Sequence, residues 1–188
     1  MIDSDGYIKM VNFCFAKQVK NKTYTLCGTP EYMAPEIILR KGYDEGVDYW
    51  ATGVLIWECE TGETPFADKE SSDITKIFQN ILRRDIFPPQ GVDQDVIDIL
   101  IGNSESTGLL NRNTKKRLGK LSGGAGDIVD QPYFAMYDFA ALLCKGIEAP
   151  YKPAVDGSGI DQRNFDRSID DEPQIETYWG DISIFAGF

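Results

Sequence analysis

The sequence predicts a mainly α-helical fold, and three stretches support this prediction. The stretch "YWATGVLIWECE" is long for a strand and apolar on nearly all sides, which is typical of a buried central helix. In "SSDITKIFQNILRR", the isoleucines and the phenylalanine recur at helical spacing. A third helix is predicted from about Asp93 to Ile101. With 188 residues, 42% of them hydrophobic, the chain is long enough to bury one good-sized core.

The first third of the chain predicts a turn, a loop and a short helix. Asp5-Gly6 followed by "YIKMV" indicates a hairpin turn that leads into a strand, with only Met1 to Asp3 left for the preceding strand. Residues 13–33 are rich in lysine, threonine and glycine, which is typical of a loop. "APEIIL" predicts a short helix with Pro35 in its first turn.

The predicted helices are bounded by capping and loop signals. Gly62 stands at the C-cap position of the apolar helix, and Ser71 or Ser72 is the expected N-cap of the next one. A break rich in glycine and serine follows the third helix, and "SGGAG" near Gly123 predicts a surface loop. From Pro150 onward, proline, glycine and aspartate dominate, so we expect regular structure to fade.

Charge and cysteine content exclude several classes of function. The net charge is −11, and residues 155–188 carry eight acids against two arginines, which disfavours nucleic acid or an anionic membrane as a partner. No apolar run reaches membrane-span length, and no signal peptide opens the sequence. The four cysteines form no C-x-x-C pair, and the absence of histidine excludes a Cys/His zinc site. These features indicate reduced thiols and a cytoplasmic protein.

The stretch from Thr25 to Phe66 resembles the activation segment and central helix of a Ser/Thr protein kinase. It contains "APE", then an Asp-x-Trp-x-x-Gly pattern, and "KRLG" follows further on, in the order and spacing of a kinase C-terminal lobe. Within the kinases it is similar to the AGC group, and there to the cyclic-nucleotide-dependent enzymes. The resemblance implies a kinase-like C-terminal lobe with a remnant β hairpin and an extended C-terminal tail.

The end of the chain resembles the AGC C-terminal extension, through "NFD" at 164–166 and a terminal Phe-x-x-Phe. The resemblance divides the chain into a partial kinase domain at 1–134 and the extension at 135–188. It also implies that Phe165 lies against the adenine of ATP. A small N-terminal lobe would precede this stretch of sequence, and a regulatory domain is a further implied partner.

The resemblance assigns structural roles to three charged residues. Glu36 and Arg117 match the family's buried ion pair, which ties the activation segment to the lobe. Asp48, at the start of the apolar helix, would accept backbone N–H groups and anchor neighbouring loops.

The resemblance also assigns residues to regulation and substrate binding. Thr25 matches the activation-loop phosphorylation site, with Lys17 as its basic partner. Three residues match the apolar pocket for the substrate residue that follows the phosphoacceptor, namely Leu26, Pro30 and Met33.

Two more residues have implied roles around the substrate. Thr29 matches the hydroxyl that braces the catalytic loop. Glu58 matches an acid that reads arginine in a basic protein or peptide substrate, although an acid at a helix end is as often simply solvated.

Several parts that phosphoryl transfer requires are missing from these 188 residues. The sequence has no G-x-G-x-x-G, and the family's catalytic loop would lie just before Met1. "NFC" stands where the family has "DFG". Asn12 therefore replaces the aspartate that holds Mg²⁺, and Cys14 replaces a glycine that gives the segment freedom to turn.

Three hypotheses follow for the function. The first is the C-terminal part of an AGC kinase that phosphorylates basic substrates with ATP and Mg²⁺. Under this hypothesis, the chain alone is expected to be inactive and to bind neither ATP nor Mg²⁺ productively. The second is a non-catalytic, pseudokinase-like module that binds basic peptides or a partner protein. The third is that the chain is not a stable protein by itself.

Overall fold

The computed structural model describes residues 1–68, 73–103 and 107–154. Those residues form six α-helices and two 3-10 turns. The helices are α1 (Pro35–Ile38), α2 (Gly46–Thr61), α3 (Ile74–Arg83), α4 (Gln94–Leu100), α5 (Gly126–Val129) and α6 (Phe139–Leu143), and the 3-10 turns are Pro30–Tyr32 and Pro132–Phe134. The mainly helical class predicted from the sequence is confirmed. None of the helices in these ranges combines the length and the apolar run needed to span a bilayer.

The chain divides into two compact units. Among the described residues, one unit consists of residues 1–11 and 145–154, and the other lies within residues 12–144. The predicted boundary at residue 134 stays a prediction.

In the first unit, the N-terminal residues turn back on themselves. An isolated antiparallel bridge joins Ile2 to Ile8, and Gly6 takes a φ of 87°, which glycine adopts without strain. The Tyr7 hydroxyl donates to the Ile147 carbonyl over 2.5 Å, and Lys145 pairs with Asp5. No strand is assigned among the described residues, so the remnant hairpin stays a prediction.

The second unit is organised around α2. Trp50 is fully buried and stacks on Phe66 with ring centroids 5.5 Å apart, and Val54 is equally inaccessible. Leu55 is 51% exposed, however, and Cys59 is also exposed. The prediction of a helix buried on nearly all sides was therefore wrong, because α2 packs one face on the core and turns the other to solvent.

Close packing against α2 depends on Gly53. A Cβ built at this position would lie 2.8 Å from Leu109 Cβ and 2.9 Å from Leu110 Cδ2. Both leucines are buried, and they lie beside the helix backbone where a larger residue would hold them away. The glycine of the Asp-x-Trp-x-x-Gly pattern is thus required by packing.

The helix ends follow capping chemistry, with one difference from the prediction. Gly62 ends α2 in the left-handed conformation at φ 79°, as predicted. The N-cap of α3 is Asp73, whose carboxylate accepts from the Thr75 N–H over 2.8 Å, whereas the predicted caps Ser71 and Ser72 lie outside the described residues. An aspartate cap adds a negative charge at the positive end of the helix, which favours it over serine.

The C-terminal end of α3 is held by a guanidinium. Arg112 Nε donates to the Ile81 carbonyl over 2.6 Å, and its Nη2 donates to the Arg84 carbonyl over 2.5 Å. These carbonyls lack intrahelical partners at a helix end, so the guanidinium satisfies them. Partial burial lowers the pKa of Arg112 from its usual value, although the group stays charged at neutral pH. Asn80 Nδ2 also donates to the Phe66 carbonyl over 3.1 Å, which fastens α3 to the preceding loop.

Candidate substrate-binding and activation site

The loop before α1 carries the proposed phosphorylation site. Thr25 is exposed, and Lys17 Nζ donates to its Oγ1 over 3.2 Å. The Tyr43 hydroxyl donates to the Thr25 carbonyl over 2.6 Å. The structure therefore brings Thr25 and Lys17 together, with the hydroxyl open to solvent and a cation beside it.

A cavity of about 370 Å³ lies between this loop and the start of α2. Its lining includes Cys27, Thr29, Met33 and Asp48. The Asp48 carboxyl remains accessible to solvent, but partial desolvation and the neighbouring Glu45 carboxylate raise its pKa above the usual range. No described residue donates a hydrogen bond to this carboxyl.

The three predicted pocket residues differ in exposure. Met33 is 7% exposed and belongs to the core, whereas Leu26 is 45% exposed. Pro30 is half-buried at the start of the first 3-10 turn. Of the three, only Met33 lines the 370 Å³ cavity, so no single described cavity brings them together.

Glu58 is held by a tyrosine that the sequence analysis did not single out. The Tyr32 hydroxyl donates a hydrogen bond to Glu58 Oε2, and burial together with this bond raises the pKa of Tyr32 to about 12. Among the described residues, no lysine or arginine pairs with Glu58. The carboxylate is therefore oriented by a neutral donor and keeps its charge available for a cation. The two residues lie 26 positions apart, so no sequence spacing indicated the pair.

Two further acids near the end of α2 are oriented in the same way. The Thr64 hydroxyl donates to Glu31, and the Tyr133 hydroxyl donates to Glu60 Oε1 over 3.0 Å. Burial and the bond to Glu60 raise the pKa of Tyr133 to about 12. Sequence reasoning missed both pairs, because each joins residues far apart in the chain.

Glu36 and Arg117 form a buried ion pair. Arg117 Nη1 and Nη2 lie 2.6 and 2.9 Å from the two carboxylate oxygens of Glu36, and Arg117 is fully inaccessible to solvent. The guanidinium also donates to the Gly46 carbonyl over 2.8 Å and to the Asn111 carbonyl over 3.0 Å. The pair joins α1, the start of α2 and the "KRLG" stretch.

Asn12 adopts a conformation that suits asparagine. Its φ is 61°, in the left-handed region that asparagine tolerates better than most residues, whereas Cys14 is not among the described residues with positive φ. The left-handed backbone conformation of this segment is therefore at residue 12, two residues before the cysteine that replaces the family's glycine.

The residues around Asn12 do not fit a Mg²⁺ site. Asn12 is exposed and offers one neutral carbonyl oxygen. Across the described ranges, no three acidic, cysteine or histidine side chains come together as a metal-binding group. Mg²⁺ favours carboxylate oxygens, so this donor set is poor. Phe165, the residue expected near adenine, lies outside the described residues.

Comparison with known proteins gives the family. The protein kinase domain family model matches residues 1–134. The chain is 40% identical over 167 residues to a cAMP-dependent protein kinase catalytic subunit from Arthrobotrys oligospora, covering 89% of this chain and 31% of that protein. It is 38% identical over 172 residues to the cAMP-dependent protein kinase type 3 of Saccharomyces cerevisiae, covering 92% of this chain and 41% of that protein.

A relative outside the cAMP-dependent kinases shows similar identity. The Saccharomyces cerevisiae Serine/threonine-protein kinase YPK1 is 39% identical over 180 residues, covering 94% of this chain and 25% of that protein. The chain thus spans less than half the length of these curated relatives. It belongs to the protein kinase family, as a partial kinase domain of the AGC Ser/Thr group close to the cAMP-dependent enzymes.

Proposed function

We propose that these 188 residues form the substrate-binding and activation part of an AGC Ser/Thr kinase that phosphorylates basic proteins. Protein kinases transfer the γ-phosphoryl group of ATP with the help of Mg²⁺, and the surrounding protein supplies positioning and charge. The observation that carries the proposal is the Tyr32–Glu58 pair. It holds an unneutralised carboxylate on α2, where an arginine of the substrate can bind it.

Within this proposal, the activation segment has its family roles. Thr25 is the phosphorylation site and Lys17 binds its phosphate. The substrate residue after the phosphoacceptor contacts Leu26, Pro30 and Met33. Leu26 and Pro30 do not line the cavity that Met33 lines, so substrate binding would have to bring the three side chains to one surface.

The remaining family positions support the catalytic loop, the activation segment and the nucleotide. Thr29 braces the catalytic loop and Asp48 anchors neighbouring loops, and both residues line the 370 Å³ cavity. Glu36 and Arg117 hold the activation segment on the lobe. Phe165 contacts adenine.

The 188 residues alone are proposed not to transfer phosphate. Neither the lysine that contacts the phosphates nor the catalytic aspartate is present among them, and Asn12 lacks the charge of a Mg²⁺ ligand. The four unpaired cysteines favour a reducing compartment, and we propose the cytoplasm.

The test is binding of an arginine-containing peptide, measured by fluorescence anisotropy on the full 188-residue chain. Glu58→Gln removes the charge and preserves the shape, so we expect binding to weaken by about tenfold to a hundredfold, since a charge-assisted hydrogen bond contributes about 1.5–3 kcal/mol. Asp95→Asn, which removes an exposed charge from α4, is the matched control and should bind like the unmodified chain. Equal affinity for the Glu58 variant, or no binding up to millimolar peptide, would overturn the proposal.

A further inference from the structure

The 370 Å³ cavity between the loop before α1 and the start of α2 is largely apolar. Its lining includes Met33 and Ile37, which are 7% and 8% exposed and belong to the core. Val47 and Ala51 contribute apolar surface from α2. A volume of this size lies near the lower end of the range for small-molecule sites, so the cavity has room for a ligand of about one ring.

The Asp48 carboxylate is the charge in this cavity that lacks a counter-ion. Among the described residues, no lysine or arginine pairs with it and no group donates a hydrogen bond to it. Desolvation and the neighbouring Glu45 carboxylate raise its pKa, and no cation acts in the opposite direction. A bound cation would offset both the desolvation and the repulsion between the two carboxylates.

The other charged residues that line the cavity already have partners. The carboxylates of Asp44 and Glu45 lie 3.2 and 2.5 Å from Lys120 Nζ. Lys17 Nζ donates to the hydroxyl of the proposed phosphorylation site over 3.2 Å. None of these bonds reaches Asp48, so the charge of Asp48 decides which ligand fits.

One wall of the cavity is held by hydrogen bonds between its own residues. An antiparallel bridge joins Thr23 to Tyr43 through two backbone hydrogen bonds of 2.9 Å, and both residues line the cavity. The Tyr43 hydroxyl also donates to the Thr25 carbonyl over 2.6 Å. A wall that is fixed before binding costs less conformational entropy when the ligand arrives. This side of the cavity is therefore preformed.

Charge and polarity exclude most classes of small ligand. A carboxylate or a phosphate would be repelled by Asp48. A neutral apolar molecule would desolvate the carboxylate further without giving it a partner. A cation on an apolar body satisfies both the carboxylate and the apolar lining, and a planar amidinium can donate to both carboxylate oxygens at once.

We propose that the 370 Å³ cavity binds a small organic cation, an amidinium or an ammonium on an apolar body of about one ring. The charged group pairs with Asp48, and the apolar body packs on Met33 and Ile37. The inference goes beyond the proposed function, because it concerns a ligand other than the protein substrate. A loop anchored on Asp48 would compete with this ligand for the same carboxyl.

The test uses benzamidine and the full 188-residue chain, with the methionine methyl groups labelled with ¹³C. Benzamidine should shift the Met33 methyl signal, because its ring lies against that side chain, with a dissociation constant on the order of 1 mM. The methyl of Met136, which is 82% exposed and does not line the cavity, should not shift. Benzamide lacks the charge and benzoate reverses it, so each should bind at least about tenfold more weakly than benzamidine.

Two pairs of variants test the charge and the space separately. Asp48→Asn keeps the size of the side chain and removes its charge, so benzamidine should bind at least about tenfold more weakly. Asp95→Asn, at an exposed position of α4, is the matched control and should bind normally. Ala51→Leu fills part of the cavity and should also weaken binding, whereas Ala140→Leu, at an exposed alanine of α6, should not.

A further variant separates this inference from the proposed function. Glu58 does not line the cavity, so Glu58→Gln should bind benzamidine normally while it weakens binding of the arginine-containing peptide. Unchanged benzamidine binding in Asp48→Asn, equal weakening by Asp95→Asn, loss of binding in Glu58→Gln, or no Met33 shift up to about 20 mM benzamidine overturns the proposal. Weaker binding of the arginine-containing peptide by Asp48→Asn also overturns it, because the cavity would then serve a protein segment. If Ala51→Leu fails to fold, the Asp48 and Asp95 variants still decide.

Discussion

Arg117 and Glu36 meet through two parallel hydrogen bonds, of 2.6 and 2.9 Å, in an environment where the guanidinium has no access to solvent. Arg117 Cζ also lies 5.2 Å from the centroid of the Trp50 ring. The same guanidinium thus contacts α1, α2 and the Asn111 carbonyl. Removing either partner would leave a buried charge without compensation.

The first prediction concerns this pair. Glu36→Gln should lower the free energy of unfolding by about 3–5 kcal/mol, because the Arg117 charge stays buried without its counter-ion. Urea denaturation followed by circular dichroism measures the change. The matched control is Glu45→Gln, at an exposed carboxylate 2.5 Å from Lys120 Nζ, where a loss of about 0–1 kcal/mol is expected. A Glu36 variant as stable as the control would contradict the prediction.

The second prediction concerns Gly53. Gly53→Ala should destabilise the chain by about 1–3 kcal/mol, because the new methyl would meet Leu109 and Leu110 at under 3 Å. Gly126→Ala in α5 is the control, since no atom outside its chain neighbours and its own helix backbone lies within 4 Å of its built Cβ, and alanine favours a helix. Thermal melts should show a lower melting temperature for the Gly53 variant and a higher one for the Gly126 variant. A melting temperature for the Gly53 variant at or above that of the unmodified chain would show that the leucines can move aside.

Sequence patterns predicted the helices of this chain better than its side-chain pairs. The long apolar run and Gly62 located α2, because run length and C-caps are local signals. The one-sided burial of α2 depends on neighbours distant in the sequence, and the apolar run alone did not reveal that Leu55 is exposed. Glu36 and Arg117, 81 positions apart, were paired only through the family resemblance. Tyr32–Glu58 was missed because no local pattern indicates which tyrosine a helix will face.

The third prediction concerns the alkaline titration of Tyr32 and Tyr133. Both have a folded-state pKa of about 12, above the usual 10, so their contribution to stability is complete below about pH 10 and is lost as pH rises toward 12. Phenolate absorbance should show a component near pH 12 to which Tyr32 and Tyr133 contribute. Tyr32→Phe and Tyr133→Phe should each lower the amplitude of this component by one tyrosine, and the double variant should lower it by two. An unchanged high-pH component in either single variant would show that the corresponding hydrogen bond to Glu58 or Glu60 does not form.

The fourth prediction concerns a phosphate on Thr25. Lys17 Nζ lies 3.2 Å from Thr25 Oγ1, so a phosphothreonine at this position would gain an adjacent cation that favours its dianion. Phosphorus NMR should show a second phosphate pKa about 0.7 unit below the usual value of about 6, given the roughly 1 kcal/mol that two charges 4 Å apart contribute in water. Lys17→Gln should return the pKa to about 6. Lys20→Gln, at another exposed lysine of the same loop, is the control and should keep the lowered value. If the two variants titrate alike, Lys17 does not bind the phosphate, and Thr25 loses its structural support as the activation site.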